Sequence, residues 1–153
     1  MEEEMQDREC HRGFTLIELL VVIAILGILA ALVAPSILGR KEDAMRAQAK
    51  VQIRNLEQAL QLYYVDSGDF PSTEQGLRAL VEKPTIGKIP RKWREEGYLE
   101  KDSVPKDPWG NDYVYISPGV HNKNYDIISY GADGLEGGEA KDADIESWAI
   151  DEE

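Results

Sequence analysis

Polar side chains are absent from one long stretch near the start of the chain. Nothing between Leu19 and Ala34 is polar, and the wider block over 14–38 is interrupted only by Thr15, Glu18 and Ser36. A bilayer core needs about 20 apolar residues as a helix, so residues 14–38 are predicted to span one. A secretory signal peptide has an apolar core of roughly 7–15 residues before an A-x-A-like cut; this run is longer and holds no such triplet. A buried helix of a soluble protein would need more surrounding chain than remains. Pro35 lacks an N–H donor and is expected to kink or locally melt the helix.

Beyond Gly39 the pattern becomes amphipathic. Ala49, Ile53, Leu56, Leu60 and Tyr63 recur at steps of four, three, four and three in a polar background, one face of a helix. Residues 39–66 are therefore read as a continuation of the spanning helix, stopped by Asp66-Ser67-Gly68. Ser72 and Gln75 make a capping box, which predicts a second helix to about Val81, before Pro84 and Pro90. Asp107-Pro108-Trp109-Gly110 is a turn, Tyr113–Ile116 a strand, Pro118-Gly119 a turn and Asp126–Tyr130 a second strand. A long helix followed by a small antiparallel sheet is an α+β plan, with 67–153 as its globular part.

Charge and composition narrow the function. Acids outnumber bases 29 to 17 and the net charge is −12, which disfavours nucleic acid as a partner. The basic group Lys88, Arg91, Lys92 and Arg94 around Trp93 reads as a solvated loop, or a contact for an acidic neighbouring subunit. The single cysteine, Cys10, allows no internal disulfide, and no Cys/His cluster has zinc spacing. His11 and His121 lie far apart, and nucleophile-triad, Walker and GxGxxG motifs are missing. No enzymatic activity is expected.

Glu18 requires a reason. A carboxylate at a bilayer centre costs roughly 3 kcal/mol, less near an interface, and marks a functional site by default. The run Arg12-Gly13-Phe14-Thr15-Leu16-Ile17-Glu18-Leu19 resembles the processing site of type IV pilins and of the pseudopilins of type II secretion. The resemblance implies that 1–13 is a leader, that a prepilin peptidase cuts between Gly13 and Phe14 and methylates Phe14, and that Glu18 is the assembly residue. Physics agrees: the Phe14 ammonium of one subunit and the Glu18 carboxylate of its neighbour are each expensive alone and tolerable paired. Leaders of this family are usually basic; this one carries five acids against Arg8 and Arg12.

Further motifs resemble the major pseudopilins: Tyr63-Tyr64, Phe70-Pro71, Ser72-Thr73-Glu74-Gln75-Gly76-Leu77, Asp107-Pro108-Trp109-Gly110 and Ser129-Tyr130-Gly131-Ala132-Asp133-Gly134. The resemblance covers about residues 12–148. It implies a type IV pilin-like fold, with a single-pass subunit in the bacterial inner membrane and its globular part in the periplasm. By the same resemblance, subunits are expected to polymerise into a periplasmic filament that helps drive protein export. The implied partners are further copies of the chain, minor pseudopilins, the inner-membrane assembly platform, the prepilin peptidase and the membrane, with a separate cytoplasmic ATPase supplying energy. The alternatives are a surface pilin for adhesion or motility, or a membrane-tethered calcium-dependent binding domain.

Residues 131–144 carry four glycines and acids at 133, 136, 139, 142 and 144. By themselves they read either as a mobile acidic tail or as a hard-cation site. Calcium takes six to eight oxygens, but the D-x-D-x-D-G spacing of an EF-hand is missing. Major pseudopilins bind calcium in this loop. The resemblance implies Asp133 and Asp144 as side-chain ligands, the backbone carbonyls of Tyr130 and Leu135, and Asp142 as a further candidate. Lys141 departs from the pattern and is expected to point to solvent.

Overall fold

The computed structural model describes residues 14–150, apart from the side chains of 31–38. The expected leader, with Gly13, lies outside the described residues. The chain forms two compact units, one ending at Arg40 and one starting at Lys41.

One helix, α1 (Leu16–Ser67), runs through both, and it passes Pro35 unbroken. Local melting at the proline does not occur, because a ring in a long helix removes only one of many backbone bonds. Among the described residues no helix is long and apolar enough to cross a membrane; the apolar run of the sequence continues through 31–34. Gly68 closes α1 at φ 83°, donating its N–H to the Tyr64 carbonyl at 2.8 Å. A left-handed residue after the last turn is the usual glycine stop.

The second unit is built around the α1 stripe. Ala49, Ile53, Leu56 and Leu60 are fully buried and Tyr63 is 2 % exposed. They share one core with Leu77, Leu80, Tyr98, Tyr113, Tyr115, Tyr125, Ile127 and Ile145. Full burial of such a side chain contributes about 1.5–3 kcal/mol, so this face fixes the helix in place. Leu56→Ala should destabilise by about 2–5 kcal/mol. Urea melts of the two proteins give the difference, and a loss below 1 kcal/mol would place Leu56 outside the core.

Residues 72–81 depart from the expectation. The capping box forms, with Gln75 N–H to Ser72 Oγ at 3.3 Å and Ser72 N–H to Gln75 Oε1 at 3.0 Å. It opens not an α-helix but a turn and a 3-10 helix, Leu77–Leu80. Gly76 takes φ 60°, which α-helical geometry does not allow. The carbonyls that would carry the helix onward are occupied elsewhere: Ala79 by the Trp93 indole N–H at 2.9 Å, Leu80 by the Tyr98 N–H at 2.7 Å.

The sheet has three antiparallel strands in the order β1 (Val114–Ile116), β2 (Asp126–Ser129), β3 (Ile145–Glu146). Tyr115 pairs with Ile127, and Ser129 with Ile145. The first two strands match the sequence reading within a residue at each end; β3 was not anticipated. The β1–β2 loop folds around Asp126, which is 1 % exposed. Its Oδ2 accepts the N–H groups of Val120 at 2.6 Å and His121 at 2.8 Å, and its Oδ1 that of Asn122 at 2.8 Å. A Cβ on Gly119 would lie 2.3 Å from the Asn122 carbonyl oxygen, so only glycine fits there.

Burial alone would push the Asp126 carboxyl up, but the three N–H donors outweigh it and hold it below its ordinary value. The stabilisation is therefore complete above the ordinary value near 3.8 and disappears as pH falls through the lower folded value. Asp126→Asn should be less stable at pH 7 and lose less stability between pH 4 and pH 2. Parallel acid-unfolding slopes for the two proteins would contradict this.

Among the basic residues, Arg94 pairs with Asp66 and Lys88 with Asp69. Part of the basic group thus ties its loop to the end of α1, while Trp93 packs against the core.

Candidate functional site

The N-terminal site is the first turn of α1. Phe14 is 83 % exposed, and the large apolar residues from Leu16 to Leu29 are between 46 % and 77 % exposed. Glu18 stands in this apolar surface, in the first turn of the helix. Its N–H donates to Thr15 Oγ1 at 3.3 Å, and its Oε2 receives the Thr15 N–H and hydroxyl, each at 3.5 Å. This is a capping box, the T-x-x-E pattern that the sequence carries and that our reading of Glu18 overlooked. The carboxylate contacts lie at the outer limit of a hydrogen bond, so they hold Glu18 loosely. The helix N-terminus also favours a negative charge at this position.

The second site is the C-terminal loop, whose base is a polar network. Asp107 is 4 % exposed. Its Oδ1 accepts the N–H groups of Trp109 at 3.1 Å and Asn111 at 2.7 Å, and its Oδ2 the Ser129 hydroxyl at 2.7 Å. Ser129 Oγ in turn accepts the Gly131 N–H at 3.3 Å, and Asn111 Nδ2 donates to the Gly131 carbonyl at 3.1 Å. The DPWG turn therefore fixes the point where the loop leaves β2. Sequence reasoning saw a turn there but not this role.

Within the loop, Gly131 and Gly134 take φ 65° and 67°, backbone conformations that L side chains rarely adopt. Asp133 Oδ1 accepts the Leu135 N–H at 3.1 Å. Asp144 Oδ2 accepts the Gly137 N–H at 2.9 Å, whereas its Oδ1 is buried with no hydrogen-bond donor among the described residues. Such an oxygen costs about 1–3 kcal/mol, more when charged. Asp142 lies in a 3-10 turn, Ala140–Asp142. Lys141 is exposed, with its ammonium 4.0 Å from Asp142 Oδ2. Among the described residues no three His, Cys, Asp or Glu side chains gather to hold a metal ion.

Comparison with known proteins places these features. The model of the prokaryotic N-terminal methylation motif matches residues 9–34, and that of type II secretion system protein G matches residues 36–148. The chain is 50 % identical over 144 residues to type II secretion system core protein G of Pseudomonas aeruginosa, covering 94 % of this chain and 99 % of that one. It is 51 % identical over 146 residues to the protein so named in Vibrio cholerae, covering 95 % and 97 %. Its fold is similar to the crystal structure of the major pseudopilin from the type 2 secretion system of enterohaemorrhagic Escherichia coli. That match has a TM-score of 0.63 and 41 % identity, covering 73 % of this chain and 93 % of that one. With half its residues shared along almost its whole length, this chain belongs to the type II secretion system protein G family.

Proposed function

We propose that this chain is the structural subunit of a pseudopilus, held in the inner membrane by residues 14–38 and then polymerised into a periplasmic filament that assists type II secretion. The observation that carries this reading is the apolar surface from Phe14 to Leu29, at least 46 % exposed at each large side chain. Covering what remains exposed of each such side chain is worth up to about 1.5–3 kcal/mol relative to water. Lipid covers the surface before assembly and identical helices cover it afterwards. Glu18 then leaves its loose contacts with Thr15 and pairs with the Phe14 ammonium of the next subunit, which fixes the register. Minor pseudopilins and the assembly platform are the partners that start and feed the filament.

We further propose calcium as the ion of the C-terminal loop. Asp144 Oδ1, buried without a donor among the described residues, is an oxygen able to take a cation. A set of Asp133 and Asp144 carboxylates with the Tyr130 and Leu135 carbonyls, Asp142 as a further candidate, is all hard oxygen, the donor class calcium takes. Bound calcium would supply the charge that holds this loop on the sheet, as a disulfide does elsewhere.

The test of the pseudopilin reading is the mature N-terminus. Mass spectrometry of the membrane-extracted protein should find it at a methylated Phe14. An N-terminus at Met1, or beyond Ala34, would refute the reading.

A further inference from the structure

We propose that Arg46 of α1 is a positioning residue for cation binding by the C-terminal loop; the inference rests on the calcium reading above. The Arg46 Nη1 donates to the Ala143 carbonyl at 2.7 Å, across 97 residues of sequence. That carbonyl belongs to the residue just before Asp144, whose Oδ1 is the buried oxygen without a donor. The same carbonyl lies 3.2 Å from where a Gly131 Cβ would be. Residues 142–144 therefore cross closely over the glycine that opens the loop. At the other side, a Cβ on Gly138 would come within 2.4 Å of the Asp142 carbonyl oxygen. Two glycines let the segment approach, and Arg46 is the long-range hydrogen bond that ties it to the helix.

The chemistry of the contact matters as much as its place. The guanidinium donates to a backbone carbonyl. It orders the backbone beside Asp144 while Asp144 Oδ1 takes no hydrogen bond, so that oxygen stays available to a divalent cation. A planar fork loses little freedom per bond formed. Without this contact the 142–144 segment is freer, and the cation must meet the ordering cost that Arg46 otherwise removes in advance. Groups hydrogen-bonded directly to metal ligands typically contribute 10–100-fold in affinity; Arg46 acts one residue away, so the lower end applies.

The test is isothermal titration of calcium chloride into the full chain in detergent. Arg46→Met should bind calcium about 10-fold or more weakly than the unmodified chain. Arg46→Lys, which restores a cationic donor, should fall between the two, and Arg78→Met, removing an exposed i,i+4 pair with Glu82, should bind normally. A merely structural role would lower the melting temperature equally with calcium and with chelator and leave the affinity unchanged; that result overturns the proposal. No calcium binding by the unmodified chain is a different result, and it overturns the calcium reading itself together with this inference. Should Arg46→Met fail to fold, the Arg46 Nη1–H resonance of the unmodified chain decides. Calcium should shift it and slow its exchange, and an unmoved resonance overturns the proposal.

Discussion

Glu18→Ala is expected to leave the chain inserted and processed but to remove it from filaments. The variant keeps the apolar surface and the cleavage site, so membrane residence is unaffected. What it loses is the only carboxylate between Phe14 and Arg40. In an assembled filament the Phe14 ammonium would then be buried without a counter-charge, and breaking a buried pair from one side costs about 3–5 kcal/mol. At about 1.4 kcal/mol per factor of ten, the incorporation equilibrium falls by about two to four orders of magnitude. The capping box supplies a competing explanation, since Glu18 also contacts Thr15 within its own chain. Losing that contact should cost only about as much as a helix cap, 0.5–2 kcal/mol. Glu18→Gln separates the two, because glutamine serves a capping box as well as glutamate but carries no charge. If pairing governs, Glu18→Gln is as defective as Glu18→Ala. Normal filament yields from the glutamine strain would show that capping is the whole role.

Calcium should raise the melting temperature of the full chain in detergent, because an ion that binds only the folded loop stabilises it by mass action. At free calcium 100 times the dissociation constant the gain is about 2.7 kcal/mol, which shifts melting by several degrees or more for a folded unit of this size. Magnesium should do less, since it requires a tight octahedron and sheds water reluctantly. Asp133→Ala and Asp144→Ala should each remove most of the shift. The Asp144 variant carries a second signature. In chelator the unmodified chain keeps a buried carboxylate oxygen without a donor, an expense of about 1–3 kcal/mol that the alanine removes. The order of stability should therefore invert, with Asp144→Ala the less stable in calcium and at least as stable in chelator. Identical melts of the unmodified chain in both conditions would withdraw the site.

The residues that the sequence made legible are those whose role is local or periodic. The spacing of Ala49, Ile53, Leu56, Leu60 and Tyr63 dictates a helix face, and all five are buried. Gly68 ends the helix where a glycine should. The strand-forming residues around Tyr115 and Ile127 pair as an antiparallel hairpin. The run from Arg12 to Leu19 and the blocks at 72–77, 107–110 and 129–134 pointed to the family because each is a short contiguous motif.

Tertiary structure decided the rest, because those features depend on groups far apart in the chain. Residues 72–81 carry a valid capping signal, yet Trp93 and Tyr98 take the carbonyls an α-helix would use, and Gly76 turns away. Ile145–Glu146 is too short to show a strand period and exists only because Ile128 and Ser129 offer it an edge. Asp107 reads as a turn residue, and only folding brings Ser129 to its second oxygen. Arg46 looks like any solvent-facing arginine until the chain returns, 97 residues later, to set the Ala143 carbonyl beside it. The sequence alone determined the helix, the class of fold and the family, since periodicity and motifs are written locally. The placing of Asp144 and the residues that hold it belong to the fold, since a hydrogen bond between distant segments has no period to read.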